Sequence, residues 1–210
     1  LQSVEENLVN QSGSNPGEVR QLYDAWADDY DRALLAWGYE APAVAAGYVR
    51  EQAPADTFVL DAGCGTGLAG EALHRAGFSN IVGVDFSEDS LALAASRGVY
   101  GKTLPADLTR LPLPFGDGNF GAVVCIGVMS YLPDVEAVCR EFCRLTRASG
   151  AIVLTQRTDL FDERNTQQAF DALSAEGLWK QIEVTSSRPY LPGNPEFEGI
   201  GVYYAVFKRC

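Results

Sequence analysis

An open, doubly wound α/β sheet, mostly parallel and seven-stranded, is predicted by three observations. From Thr57 onward, short apolar runs alternate with segments of helical periodicity, the pattern of strand–helix–strand units. A glycine-rich turn, Gly63-Cys64-Gly65-Thr66-Gly67, follows the first run. The last two apolar runs are joined by only "PGNPEFE", too short for a parallel crossover, so they should form an antiparallel pair.

The elements follow in order. Residues 1–17 are polar and carry "SGSNPG", which reads as a flexible leader, and residues 18–210 read as one domain. Within it, 18–54 should be N-terminal helices lying as a lid over the ligand site. Val19, Leu22, Tyr23, Trp26, Tyr30, Ala33, Leu34 and Trp37 recur at helical spacing, and a second helix, about 41–52, stops before Pro54.

The core, 55–160, begins with "TFVLDAG" as a strand and a helix closed by Gly77. "NIVGVDF" is the second strand, followed by a helix that Ser87 caps and Gly98 closes. A third strand near 100–106, a proline-broken loop and the buried run "GAVVCIGVM" come next. Val135, Val138, Phe142 and Leu145 mark one helical face, with Arg140, Arg144 and Arg147 toward its C-terminal end. "AIVLTQRT" is the fifth strand, and 161–210 supply a helix around 164–176 and the two closing strands.

Composition narrows the function. With 28 Asp and Glu against 16 Lys and Arg the formal charge is -12, which repels a nucleic-acid backbone or an anionic membrane surface, so neither is expected as a partner. Five cysteines, an odd number with no CxxC pair, and no run of 18 apolar residues point to a cytoplasmic protein, a monomer or weak homodimer. Cys139 and Cys143 share a helical face without further ligands, so no metal site is expected.

In a Rossmann-like sheet, ligands bind at the carboxyl ends of the strands where strand order reverses, which is the loop after the first strand. Read from Gly65, that loop also satisfies the dinucleotide pattern GxGxxG, with Gly70 as its last member, expected to serve close packing of helix on sheet. A pyrophosphate there would be opposed by Asp61, and no Lys or Arg lies between Phe58 and His74. S-adenosylmethionine carries no phosphate, and its sulfonium and ammonium favour carboxylates nearby. Asp85, at the end of the second strand, suits ribose hydroxyls. Asp107, at the end of the third, can accept from an adenine amino group while Phe86 and Leu108 offer apolar surface to the ring. An NAD-dependent oxidoreductase becomes the lesser alternative, since no Tyr-x-x-x-Lys pair and no room for a second domain are evident.

The stretches "VLDAGCGTG", "GVDFSEDSLALA", "ADLTRLPLPFGDGNFGAVVCIGVMSYL" and "CRLTRASGAIVL" resemble, in order, the motifs of class I S-adenosylmethionine-dependent methyltransferases. With "YDAWADDYD" and "SRGVYGK" the resemblance narrows to the Williams–Beuren-region methyltransferase-like proteins, over about residues 19–160. It implies that Gly63, Cys64 and Gly65 face the methionine portion through backbone, that Asp85 binds ribose, and that Asp107 and Leu108 frame adenine. Cys125 and Ile126 would meet the methionine amino group, and Tyr23 and Tyr30 would close over its carboxylate. Two departures stand out: Phe120-Gly121 replaces the usual Phe-Asp, and Arg147-Ala148-Ser149-Gly150 replaces Lys-Pro-Gly-Gly.

Methyl transfer from a sulfonium needs in-line placement and exclusion of water more than a dedicated base, so no catalytic residue is assigned. Tyr131 is the candidate should a proton have to leave a small-molecule acceptor. Arg157 would be a counter-charge for an acidic acceptor, or simply a surface residue. A non-catalytic cofactor-binding module is the remaining alternative.

Overall fold

A computed structural model describes residues 31–210. Its strands are β1 (Phe58–Ala62), β2 (Asn80–Asp85), β3 (Lys102–Pro105), β4 (Phe120–Cys125), β5 (Thr146–Arg157), β6 (Trp179–Val184), β7 (Arg188–Pro189) and β8 (Gly201–Arg209). They form one sheet in the order β3-β2-β1-β4-β5-β8-β6, with the two-residue β7 paired to β8 off this path. β3, β2, β1, β4 and β5 run parallel, and β8 lies antiparallel between β5 and β6. The expected antiparallel finish is present. Strand order reverses between β1 and β4, so the loops after β1, β2 and β4 gather at one end of the sheet.

The helices are α1 (Ala41–Gln52), α2 (Leu68–Arg75), α3 (Glu88–Ser96), α4 (Val135–Leu145), α5 (Thr158–Glu163) and α6 (Thr166–Ala175), and residues 31–36 are also helical. Alternate residues of the strands feed two apolar layers. Leu60, Val123, Ile152 and Phe207 face α4 and α6, while Val59, Val124, Val153 and Val206 face α1 and α2. Small residues on α1, Ala41, Ala45 and Ala46, let it lie close on the sheet beside α2, and Asp31, in the preceding helical residues, reaches the glycine loop at Thr66.

Ser87 caps α3 as expected, its hydroxyl accepting from Ser90 N. The helix expected to carry Arg147 ends sooner, at Leu145, and Thr146 already pairs with Phe120 in β5. Thr146 Oγ1 turns back to Phe142 O at 2.7 Å, and Arg147 lies across Gly121. A Cβ at Gly121 would stand 2.7 Å from Thr57 Cγ2 and 3.0 Å from Arg147 Cζ, so a glycine here leaves the room that these two side chains occupy. Ser149 takes the left-handed conformation, φ +61, that a glycine in the family pattern would adopt without strain.

Candidate functional site

β1 ends at Ala62 and the chain turns through Gly63, Gly65 and Gly67 with φ of +78, +50 and +97, a region L side chains rarely enter. Gly63 N and Cys64 N both donate to Val84 O, at 2.8 and 2.9 Å, which fastens the turn to β2. A Cβ on Gly63 would meet Val128 Cγ2 at 2.6 Å, whereas one on Gly65 would meet nothing within 4 Å. Gly63 therefore closes the loop against the segment after β4, and Gly65 borders open space.

Asp85 ends β2, buried. Its Oδ2 accepts from Gly65 N at 2.8 Å and its Oδ1 from Ser87 N at 3.0 Å, so it joins the glycine loop to the start of α3. Phe86 beside it is half-buried. Asp107 lies one strand further out and is partly exposed. Its Oδ1 accepts from Thr109 N and Oγ1, at 2.9 and 2.6 Å, and Arg110 stands 3.4 Å from Oδ2. Leu108, Cys125 and Ile126 are buried, the last two at the end of β4. Gly127 N then donates to Thr155 Oγ1 at 2.8 Å. Tyr23 and Tyr30 lie outside the described residues.

Asp61 has no exposed surface and pairs in register with Gly83 on one side and Val124 on the other. Its Oδ2 accepts from the Tyr100 hydroxyl at 2.7 Å, and its Oδ1 has no hydrogen-bond partner among the described residues. Burial pushes its pKa up to about 7, against the Tyr100 hydrogen bond, and the charge of Asp85 adds to the rise. The folded chain thus holds this proton more tightly than the unfolded one. Stability from this group is present in the acid range and is lost as pH rises from the usual carboxylate value toward about 7. Burial and the two carboxylates also hold the Cys64 and Cys125 thiols well above their ordinary pKa, so neither is a thiolate nucleophile.

A network not legible in the sequence joins the glycine loop to the N-terminal helical residues. The Arg97 guanidinium donates through Nε to Thr66 O, pairs with Asp31, and stands 3.0 Å from Glu71. Thr66 Oγ1 donates to Asp31 Oδ1 at 2.6 Å. Arg97 ends an otherwise ordinary amphipathic helix, where a charge usually signals solvent. Removing it in Arg97→Ala would strand Asp31 beside the loop at a cost of about 1–3 kcal/mol. We expect cofactor affinity to fall about tenfold and amide exchange in residues 31–36 to accelerate; exchange unchanged there would show that the pair does not latch the helix.

Tyr131 is half-buried in the turn after β4. Arg157 is no surface residue: at the end of β5 it is only 5% exposed. Burial opposes its charge, but paired hydrogen bonds to Asp159, 3.1 and 2.5 Å, more than offset this and its pKa is raised. Its guanidinium also lies 5.3 Å from the Phe197 ring centroid. A positive side chain inside a protein needs such partners. Beside it, Ser130 Oγ donates to Gln156 Oε1 at 3.0 Å, both residues buried, and Gln156 Nε2 has no partner among the described residues. His74 is exposed on α2. No group of three or more metal-ligating side chains and no helix able to cross a membrane occurs among the described residues.

A glycine loop between two carboxylates at the switch point of this sheet marks a nucleotide-cofactor site, and comparison with known proteins makes the class specific. Residues 60–154 match the family described as a methyltransferase domain. The chain is 32% identical over 169 residues, 77% of this chain and 68% of the relative, to Methyltransferase-like protein 27 of Homo sapiens. It is 30% identical over 152 residues to a demethylmenaquinone methyltransferase of Thermobifida fusca, covering 70% of this chain and 64% of that one. In structure it resembles the cyclase SpnF with a TM-score of 0.69 at 14% identity over 91% of this chain and 95% of the other, a likeness of fold alone. The chain belongs to the class I S-adenosylmethionine-dependent methyltransferases. S-adenosylmethionine is the cofactor. The residues present fit it: Gly65 borders open space, Asp85 stands at the adjacent strand end, and Asp61 Oδ1 is a buried acceptor with no donor among the described residues.

Proposed function

We propose that this protein transfers a methyl group from S-adenosylmethionine to a small-molecule acceptor in the cytoplasm, with catalysis chiefly by placement. The observation that carries this reading is the pair of buried carboxylates flanking the glycine loop, Asp61 and Asp85. In the bound state Gly63, Cys64 and Gly65 would meet the methionine portion through backbone. Asp85 would hold the ribose, and Phe86, Asp107 and Leu108 would border adenine. Cys125 and Ile126 would present carbonyl oxygen to the amino group, Tyr23 and Tyr30 would close over the carboxylate, and Asp61 would supply negative charge beneath the cation. The cofactor supplies a methyl group on a positively charged sulfur, already activated for displacement. The chain's own residues have to orient the acceptor and keep water out.

Because Arg157 is neutralised by Asp159, an acidic acceptor is not required by the site. Two relatives bear on the class of acceptor, since both names point to quinone chemistry: the demethylmenaquinone methyltransferase and a ubiquinone biosynthesis O-methyltransferase of Pseudomonas aeruginosa. Calorimetry with S-adenosylmethionine and S-adenosylhomocysteine, followed by turnover on a panel of phenols, amines and acids, tests the proposal. Binding with no transfer to any acceptor would favour a non-catalytic module, and nicotinamide binding in its place an oxidoreductase. If Tyr131 accepts the acceptor's proton, Tyr131→Phe should lower kcat about a hundredfold with KM for the cofactor unchanged; full turnover in that variant would remove Tyr131 from the chemistry.

A further inference from the structure

Tyr100 sits in the bend before β3, and its ring reaches back beneath the glycine loop. Two glycines make the slot it occupies. A Cβ on Gly70, in the first turn of α2, would fall inside the phenol, and one on Gly83 of β2 would stand 2.9 Å from Tyr100 Cε1 and 2.9 Å from Cys64 Sγ. In that slot the hydroxyl accepts from Gly70 N at 3.0 Å and donates to Asp61 Oδ2 at 2.7 Å. A backbone N–H can only donate, so the phenol oxygen accepts from Gly70 and its own proton points to the carboxylate of Asp61 when that group is ionised.

We propose that Tyr100 is a positioning residue that favours the carboxylate form of Asp61, and that through Asp61 it sets the preference of the site for the cationic cofactor over its uncharged-sulfur product, S-adenosylhomocysteine. The proposal rests on the placement of Asp61 beneath the cofactor given above. The two ligands differ by one methyl group and one positive charge, so a negative group in a dry site separates them where shape does not. Asp61 is wholly buried and receives one hydrogen bond among the described residues, that of Tyr100. Take it away and burial acts unopposed, so the carboxyl keeps its proton to higher pH.

The groups facing Asp61 are few. They are Tyr100 from the bend, Cys64 from the loop, Asp85 from β2 and Cys125 from β4. Glu71, the acidic residue of α2, is engaged by Arg75 and Arg97. Burial holds both thiols and the phenol above their ordinary pKa, so all three stay neutral across about pH 5.5 to 8.5.

The test is the ratio of the two affinities, measured by calorimetry as a function of pH. In the wild-type protein the preference for S-adenosylmethionine should rise about tenfold from pH 6 to 8, because Asp61 loses its proton in that window. In Tyr100→Phe, which still fills the slot, the midpoint should move up by about one pH unit, and at pH 7 the preference should fall several-fold, while S-adenosylhomocysteine binds within about twofold of wild type. Asp61→Asn supplies the baseline for the ligands' own amines, and its ratio should lack the rise. A Tyr100→Phe protein with the wild-type midpoint and ratio would overturn the proposal. So would a wild-type ratio that follows the Asp61→Asn baseline, a measurement that does not depend on the phenylalanine variant folding. Failure of the wild-type protein to bind either ligand would instead overturn the cofactor placement on which the proposal stands.

Discussion

Replacing Asp85 by Asn should lower affinity for S-adenosylmethionine and S-adenosylhomocysteine alike, by about two orders of magnitude. Both carboxylate oxygens accept from backbone N–H groups, Gly65 N at 2.8 Å and Ser87 N at 3.0 Å. An amide keeps one acceptor and turns its NH2 toward the other N–H, so one charge-assisted bond is lost and two donors face each other. At about 1.5–3 kcal/mol for a hydrogen bond to a charged group, this frees the glycine loop from β2 and removes the acceptor proposed for ribose. Calorimetry on both ligands reads the result. Equal losses are expected because the ribose is common to them; a loss confined to S-adenosylmethionine would mean that Asp85 acts on the sulfonium charge instead.

The largest effect on folding should come from the far side of the sheet. Trp179, on edge strand β6, is almost fully buried and stacks on Phe207 with ring centroids 3.8 Å apart and planes 8° from parallel. Its indole N–H donates to Phe170 O at 3.1 Å, tying β6 to α6. Trp179→Ala leaves a large cavity and removes the bond from β6 to Phe170 O, which keeps Ser174 Oγ at 2.9 Å, at about 3–5 kcal/mol. At about 2–4 °C per kcal/mol for a domain of this size, the melting temperature should drop by about 6–20 °C. Below the transition the cofactor should bind as in wild type, because β8, β5 and β4 separate β6 from β1. A melting temperature within a degree or two of wild type would mean that the edge strand does not unfold with the rest.

Much of the site was legible because its chemistry is local. The glycine loop, the carboxylate closing each of the first strands and the Ser87 cap lie within a few residues of the turn they serve, and residue type carries the meaning there. Gly70 was legible only as a glycine. Its position admits a helix packed on a sheet, but what fills the space is a phenol arriving from 30 residues away. Arg157 misleads in the same way: Arg after a strand usually meets water, and only Asp159 and Phe197 make its burial tolerable. Arg147 was drawn into the helix by its spacing from Arg140 and Arg144, since helical periodicity cannot register a backbone already pairing with β4.

The sequence by itself determined the alternation of elements, the antiparallel finish, the place of the glycine loop and the sign of charge around it. Each of these follows from turn geometry, from apolar periods of 2 or 3.6, or from neighbours in the chain. Tertiary structure alone decided that Asp61 is wholly buried and receives one hydrogen bond from Tyr100, 39 residues on, and that Arg97 meets Asp31 across 66 residues. Periodicity reports which side chains share a face of their own element; which element comes to meet that face is set by how the layers pack, and the ionisation of a buried group is set there too.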